Sequence, residues 1–414
     1  MDWNKQKTVT VNGSQTLSKR PEAFLQPWYP KLASAGRGCE LFAEGKSYLD
    51  LNGALGAVTI GYGEPEIFGD LFTAWNFGPS LSLPTIIEGE AASVFVDNCS
   101  WIEQVRFVKT GSEANESAIR MARIETGRSG VLFFAGHYHG WHSQEQCVAP
   151  YNHGILKDVK QNASLYPWPK TKEDFSQIEI ELKTKWYACV ILEPVQLEYN
   201  LDQFRVLEFL RRLCTETGTV LIFDEVLSGF RYQMFGITEQ SGIRPDLQTF
   251  GKCLGQGLPL ACVAGKQDLM KHSWTTSGTF GGEQVALQAF LNVVTFYNTK
   301  PVIKTMHGCA QQLKAHLEEE FPFIQVKGTG PRLQISFPND EDKHMYFSFL
   351  KGCIDQGIFI HGSGGINMMF AHREHMDLLE GLFIKVAEYI DKGGLTPEEM
   401  DIAIGPSPAW RDAK

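Results

Sequence analysis

Residues 221–260 read LIFDEVLSGFRYQMFGITEQSGIRPDLQTFGKCLGQGLPL. The first apolar run ends in Asp224, and the second, LQTF, is followed closely by Lys252. A carboxylate and an ammonium are the groups a core accepts least readily unless they are paired or used. Short, continuous apolar runs suit strands covered on both faces by helices. The reading of this stretch as two such strands, each tipped by a polar group, decides the fold.

Working outward, VRFV (105–108), VLFF (131–134), ACVIL (188–192) and VLIF (220–223) repeat the pattern. Helix-like segments lie between them. In FRVLEFLRRLCTETG, Val206, Leu210 and Leu213 share one stripe, with Leu207 and Cys214 beside it, and Gly218 is a fitting C-terminal stop. Alternating strands and helices predict an α/β fold with a large, doubly wound, mostly parallel sheet. CELFAEGKSYLDLNG carries a hairpin signal around Glu44-Gly45-Lys46. After about residue 286 come a long helical stretch, LQISF, GIFI and the amphipathic MDLLEGLFIKVAEYI, which together suit a smaller α+β domain. We therefore expect an N-terminal arm and part of the small domain over 1–60, a large domain over 61–290, and the rest of the small domain over 291–414. No internal repeat or low-complexity tract appears.

Bulk properties exclude several functions. The chain has 414 residues and a formal net charge of −10, whereas a general nucleic-acid binder needs a basic face. Nine cysteines are scattered with no C-x-x-C pair, which reads as reduced thiols in a cytoplasmic protein. The N-terminus MDWNKQKTVTVNGSQ lacks the apolar core of a secretory signal, and no apolar run approaches a membrane span.

Open α/β sheets bind ligands beyond the carboxyl ends of their strands, and that is where the polar residues fall. Glu193 follows ACVIL, Asp224 ends VLIFD, and Lys252 follows LQTF, with gaps of 31 and 28 residues. Each gap is about one βαβ unit. Thr110-Gly111-Ser112 opens a helix in which Ala114, Ala118 and Ala122 recur every four residues. Such a turn offers free N–H groups and a positive dipole end to a phosphate, although by itself it reads equally as a serine N-cap. Taken singly, Asp224 and Lys252 read as an ion pair or as solvated loop residues.

Together, a phosphate turn, a buried acid and an amine are what pyridoxal phosphate requires. The lysine forms a Schiff base with the aldehyde, the aspartate keeps the pyridine nitrogen protonated, and the helix N-terminus holds the phosphate. Tyr138, in GHYHGWH (136–142), is placed to stack on the ring. A metal reading of His137, His139 and His142 matches no standard zinc spacing and lacks a cysteine, so no metal is expected. His372 and His375 read as capping or packing residues. GTFGG (278–282) is either a plain loop or, through Thr279, a further phosphate donor.

These blocks resemble the class III aminotransferases of the fold-type I pyridoxal-phosphate enzymes, particularly the glutamate-1-semialdehyde 2,1-aminomutase-like proteins. GKSYLDLNGALG, LSLPT, TGSEANESAIRMAR, GHYHG, ILEPV, IFDEVLSGFR, PDLQTFGKCLGQGLPLACVAG and SGTFGG run in family order from about residue 36 to 290. The tail GIFIHGSGGINMMFAHREHMD matches more loosely. The resemblance implies that Lys252 is the Schiff-base lysine and proton shuttle, and that Asp224 pairs with the pyridine nitrogen. It implies that Val226 packs under the ring opposite Tyr138, that Gly111 and Ser112 bind the phosphate, and that Glu193 lies beside the cofactor. Thr279 would reach the phosphate of a neighbouring subunit, giving a homodimer with sites at its interface. Arg20 is a candidate for a substrate carboxylate and equally reads as an exposed arm residue.

The departures fall on the substrate half. Leu55 or a neighbour replaces the aminomutase's tryptophan, HGSGGINMM replaces its C-terminal motif, and Gly282-Glu283-Gln284 replaces the usual Gly-Asn-Pro turn. The expected activity is transfer or internal movement of an amino group on a small amine or amino acid. A decarboxylase or racemase with the same cofactor, and a catalytically inactive relative, are the rival readings.

Overall fold

The computed structural model describes residues 2–148, 152–197 and 200–404. The chain divides into two compact units, Met1–Glu64 with Pro301–Lys414, and Pro65–Lys300.

The first unit begins with a meander of β1 (Ala33–Arg37), β2 (Glu40–Ala43) and β3 (Lys46–Asp50). The β2–β3 turn is Glu44-Gly45 at φ +49° and +81°, with Ala43 opposite Lys46. Two successive left-handed residues match the right-handed twist of the flanking strands, so the hairpin signal is realised.

The second unit carries β4 (Gln104–Val108), β5 (Gly130–Phe134), β6 (Ala163–Tyr166), β7 (Tyr187–Leu192), β8 (Val220–Asp224), β9 (Leu247–Phe250) and β10 (Ala261–Gly265). They form one sheet in the order β4-β10-β9-β8-β7-β5-β6, in which β5 to β9 pair parallel and β10 runs antiparallel to both neighbours. Alternate residues of the central strands feed opposite cores. Leu132, Phe134, Val190, Leu192, Leu221 and Phe223 pack with Leu207, Leu210 and Leu213 of the helix Leu201–Thr217. Val131, Phe133, Cys189, Ile191 and Ile222 pack with Ala118, Ile119 and Ala122 of the helix Gly111–Thr126. Burial on both faces explains why these strands read as unbroken apolar runs. The helix Gln284–Thr299 belongs to this unit, where Phe290 stacks on Phe95 at 5.4 Å.

The first unit resumes with the helix Val302–Glu320 and β11 (Gln325–Lys327), β12 (Arg332–Ser336), β13 (Ile358–Phe359) and β14 (Gly365–Asn367). β13 joins β3 in parallel, and β11-β12-β14 form a separate antiparallel sheet. Leu313, Leu317, Phe321, Phe349 and Phe383 anchor its core, with Phe349 and Phe383 stacked at 6.0 Å. Among the described residues, no helix is long and apolar enough to cross a membrane.

Candidate active site

Four adjacent parallel strands, β5-β7-β8-β9, lead at their carboxyl ends to Tyr138, Glu193, Asp224 and Lys252 in that order across the sheet. Asp224 stands opposite Thr249 in the β8–β9 register, and the Glu225 N–H donates to the Thr249 carbonyl at 2.8 Å. The topology places these residues beyond the carboxyl ends of neighbouring strands.

Asp224 is 3% exposed and is held by three donors. Its Oδ2 accepts from Asn115 Nδ2 and from His139 Nδ1, each at 2.7 Å, and its Oδ1 accepts from the Val226 N–H at 3.0 Å. A carboxylate only accepts, so this contact assigns the imidazole proton to Nδ1. Asn115 is fixed in turn: its Nδ2 also donates to the His139 carbonyl at 2.8 Å, and its Oδ1 accepts from Thr249 Oγ1 at 2.6 Å. His139 is buried, and its Nε2 has no hydrogen-bond partner among the described residues. Neither Asn115 nor His139 stood out as a partner of Asp224 in the sequence. The available signal was a polar residue on the apolar, alanine-lined face of the 111–126 helix.

The neighbouring histidine does different work. His137 stacks on Trp168 at 5.2 Å, and burial, then His139 beside it, push its pKa down to about 3. The neutral ring accepts the Glu193 N–H through Nδ1 at 2.9 Å. The Glu193 carboxylate accepts from the Tyr138 N–H at 3.1 Å and from Gln196 Nε2 at 3.0 Å. Glu193 therefore fixes the backbone from which the Tyr138 side chain projects, 65% exposed.

The helix Gly111–Thr126 starts beside this group. Its N-cap is Thr110, not Ser112: Thr110 Oγ1 accepts the Glu113 N–H at 3.2 Å, and Glu113 reaches back to the Thr110 N–H at 2.7 Å. This capping box replaces the plain serine cap and leaves Ser112 inside the first turn. Ser112 Oγ accepts the Trp141 N–H at 3.2 Å. A Cβ on Gly111 would sit 2.8 Å from Val226 Cγ1, and one on Gly140, whose φ is +123°, would sit 2.4 Å from Ser112 Oγ. Gly251 leans on the same Val226, where a Cβ would lie 3.2 Å from Cγ1. Val226 is thus the common floor under the helix start and the residue preceding Lys252. First-turn N–H groups have no intrahelical partner, so this small-residue cradle suits an anion.

Lys252 has φ +44° and opens a 3-10 turn, Lys252–Gly255. A left-handed conformation at a non-glycine costs about 1–2 kcal/mol and persists where surrounding structure imposes it.

Thr279 is exposed and lines a cavity of about 370 Å³ with Lys109, Glu113, Glu116, Arg120 and His142, along the outer side of the 111–126 helix. Arg20 belongs to the first unit, where its Nε is buried without a partner among the described residues. Leu55, in the same unit, sits in a run of four left-handed residues, Gly53 to Gly56, at φ +58°, +53°, +60° and +76°. Its N–H donates to Asn52 Oδ1 at 2.5 Å. His372 is buried, with Nδ1 accepting the Met369 N–H at 2.8 Å, a packing and capping role.

Comparison with known proteins adds the following. Residues 29–385 match the family model for aminotransferase class-III. The glutamate-1-semialdehyde 2,1-aminomutase of Methanothermobacter thermautotrophicus is 29% identical over 363 residues, covering 80% of this chain and 85% of its own. That of Bordetella avium is 34% identical over 297 residues, covering 67% and 68%. The structure of the PLP internal aldimine form of the FumI protein from Sphingopyxis sp. MTA144 superposes with a TM-score of 0.86 at 24% identity, covering 95% of this chain and 97% of its own.

Proposed function

The chain belongs to the class-III aminotransferase family, and on that premise we propose that it is a pyridoxal-phosphate-dependent enzyme moving an amino group on a small amine or amino acid. The observation that carries the reading is the buried Asp224 carboxylate, clasped by Asn115, His139 and the Val226 N–H, one strand away from Lys252. The residues fit the cofactor. A cradle bounded by glycines faces a helix start, and an acid is set deep behind it.

Bound pyridoxal phosphate supplies an aldehyde that condenses with amines and a ring that draws electrons from the adjacent carbon. Lys252 would hold the cofactor through its amine, and the same amine is the group that would carry a proton to and from the substrate carbon. Asp224 would pair with the pyridine nitrogen and favour its protonated form. The first-turn N–H groups at Gly111 and Ser112 and the Ser112 hydroxyl bind the phosphate. Val226, beneath Gly111 and Gly251, and Tyr138, whose backbone Glu193 holds, would be the side chains that bound the ring.

A homodimer is part of the proposal. Phe72, Trp75, Phe77, Leu81, Leu83 and Ile86 are all exposed within one short segment, which supports burial against a second copy. Thr279 would serve the cradle of the other copy. Nine buried, unbridged cysteines support a reducing, cytoplasmic setting. Arg20 remains the candidate for a substrate carboxylate.

Amino donors added singly to the holoenzyme should convert the cofactor to its amino form, read as a shift in its absorbance, with a keto product released. Carbon dioxide release, or racemisation without a keto product, would instead assign the decarboxylase or racemase reading. Gly111→Ala should weaken cofactor binding by about tenfold or more, because a methyl group 2.8 Å from Val226 must displace the floor of the cradle, an overpacking worth about 1–3 kcal/mol. An absorbance titration matching that of the wild type would remove Gly111 from the phosphate site.

A further inference from the structure

Of the three histidines in residues 136–142, two are committed: His137 to Trp168 and Glu193, and His139 to Asp224. The third, His142, immediately precedes the short helix Ser143–Gln146 and meets two carboxylates. One ring nitrogen of His142 and one oxygen each of Glu116 and Glu145 lie within 4.8 Å of one another. Glu116 comes from the 111–126 helix and makes one ion pair, with Arg120 at 3.3 Å.

Glu145 is the anomaly. It is 4% exposed, and neither carboxylate oxygen has a hydrogen-bond partner among the described residues. Burying a carboxyl group without a partner is among the costlier arrangements a fold tolerates. Burial, and then Glu116, push its pKa up to about 8. Arg123 offsets the shift only weakly, and its guanidinium donates to the Ser129 carbonyl at 2.9 Å and to Gln144 Oε1 at 2.6 Å.

We propose that Glu116, His142 and Glu145 form a binding site for a borderline divalent cation, of which Zn²⁺ is the best match. One imidazole and two carboxylates give a three-ligand set with room for water, and the mixed nitrogen and oxygen donors favour a first-row metal over Mg²⁺. Ligands about 2.1 Å from one ion stand about 3–4 Å apart, so the site closes by side-chain rotation without moving either helix. A dication neutralises both acids and supplies the partner that Glu145 lacks. Glu116 and His142 also line the 370 Å³ cavity. Bound there, the cation would tie the 141–146 segment to the 111–126 helix and hold the Trp141 N–H on Ser112 Oγ.

The test is calorimetric titration of Zn²⁺ into chelator-treated holoenzyme, with Mg²⁺ in a parallel titration. One Zn²⁺ per chain is expected, with affinity falling at least about 100-fold in both Glu145→Gln and His142→Ala. His142 is only half-buried, so its variant keeps the test decisive if Glu145→Gln fails to fold. Absence of Zn²⁺ binding, or equal binding by wild type and a folded variant, would overturn the site. Mg²⁺ binding as tight as Zn²⁺ would remove the imidazole from the ligand set and overturn it likewise.

Discussion

Lys252→Ala should lower turnover by more than about 10³-fold, the upper range for loss of a positioned proton carrier, and should abolish covalent retention of the cofactor while leaving the protein folded. Three features single out this lysine. It lies two residues beyond the strand next to the one Asp224 ends, its neighbour Gly251 leans on Val226, and its backbone is held at φ +44°. A lysine in a relaxed loop would need no such constraint. Alanine at 252 keeps the strained backbone but removes the amine, so the loss reports chemistry, while urea unfolding controls for stability. Lys252→Arg should fail equally, because a guanidinium stays protonated and cannot condense with an aldehyde. Borohydride reduction of wild-type holoenzyme followed by peptide mapping should place the label on Lys252. A label on any other lysine, or turnover by the alanine variant within tenfold of wild type, would remove Lys252 from its role.

The parts of the fold legible in the sequence are those in which one local pattern settles the structure. YACVIL and VLIFD are buried at every position, so their strands show as apolar runs. Gly218 ends the 201–217 helix at φ +66°, as its position after the last apolar residue implied. β6, with the half-exposed sequence ASLY, carries no such mark; β10, ACVAG, is buried throughout, but nothing in its small residues tells that it pairs antiparallel with both neighbours. The aspartate and lysine were legible because strand periodicity placed them. Their partners were not. Asn115 and Asp224 are 109 residues apart, and His139 and Asp224 are 85 apart. The stretch 136–142 shows the limit well. Three histidines two or three residues apart look like one constellation, yet each enters a different set of contacts, because tertiary neighbours decide what an imidazole does.

Asp224→Asn is the sharper test, because the substitution keeps the shape while removing the charge and turning one acceptor into a donor. Both oxygens of the native carboxylate accept: Oδ2 from Asn115 and His139, Oδ1 from the Val226 backbone. An amide has one accepting end. Whichever way asparagine turns, its NH₂ faces a donor. Turned toward Val226, it meets an N–H that cannot invert. Turned the other way, it meets Asn115 Nδ2, whose own flip would break the contacts to Thr249 and the His139 carbonyl. His139 can yield by moving its proton to Nε2, where no partner waits among the described residues. The variant should therefore lose about 1–3 kcal/mol of stability, as a buried donor left unmatched does, read as a lower urea midpoint at unchanged slope. Turnover should fall further than that strain explains, by about 10²–10³-fold, the scale set by deleting one preorganised electrostatic partner of a reacting group. His139→Ala separates the two effects: it removes a donor and leaves the carboxylate, so it should disturb stability with a smaller loss of rate. Combining it with Asp224→Asn should add little to the rate loss, since an imidazole that acts through the carboxylate has nothing left to orient. Near-normal turnover in Asp224→Asn would mean that the ring needs no anion behind it. Additive losses in the double variant would mean that His139 acts on the reaction by a route of its own.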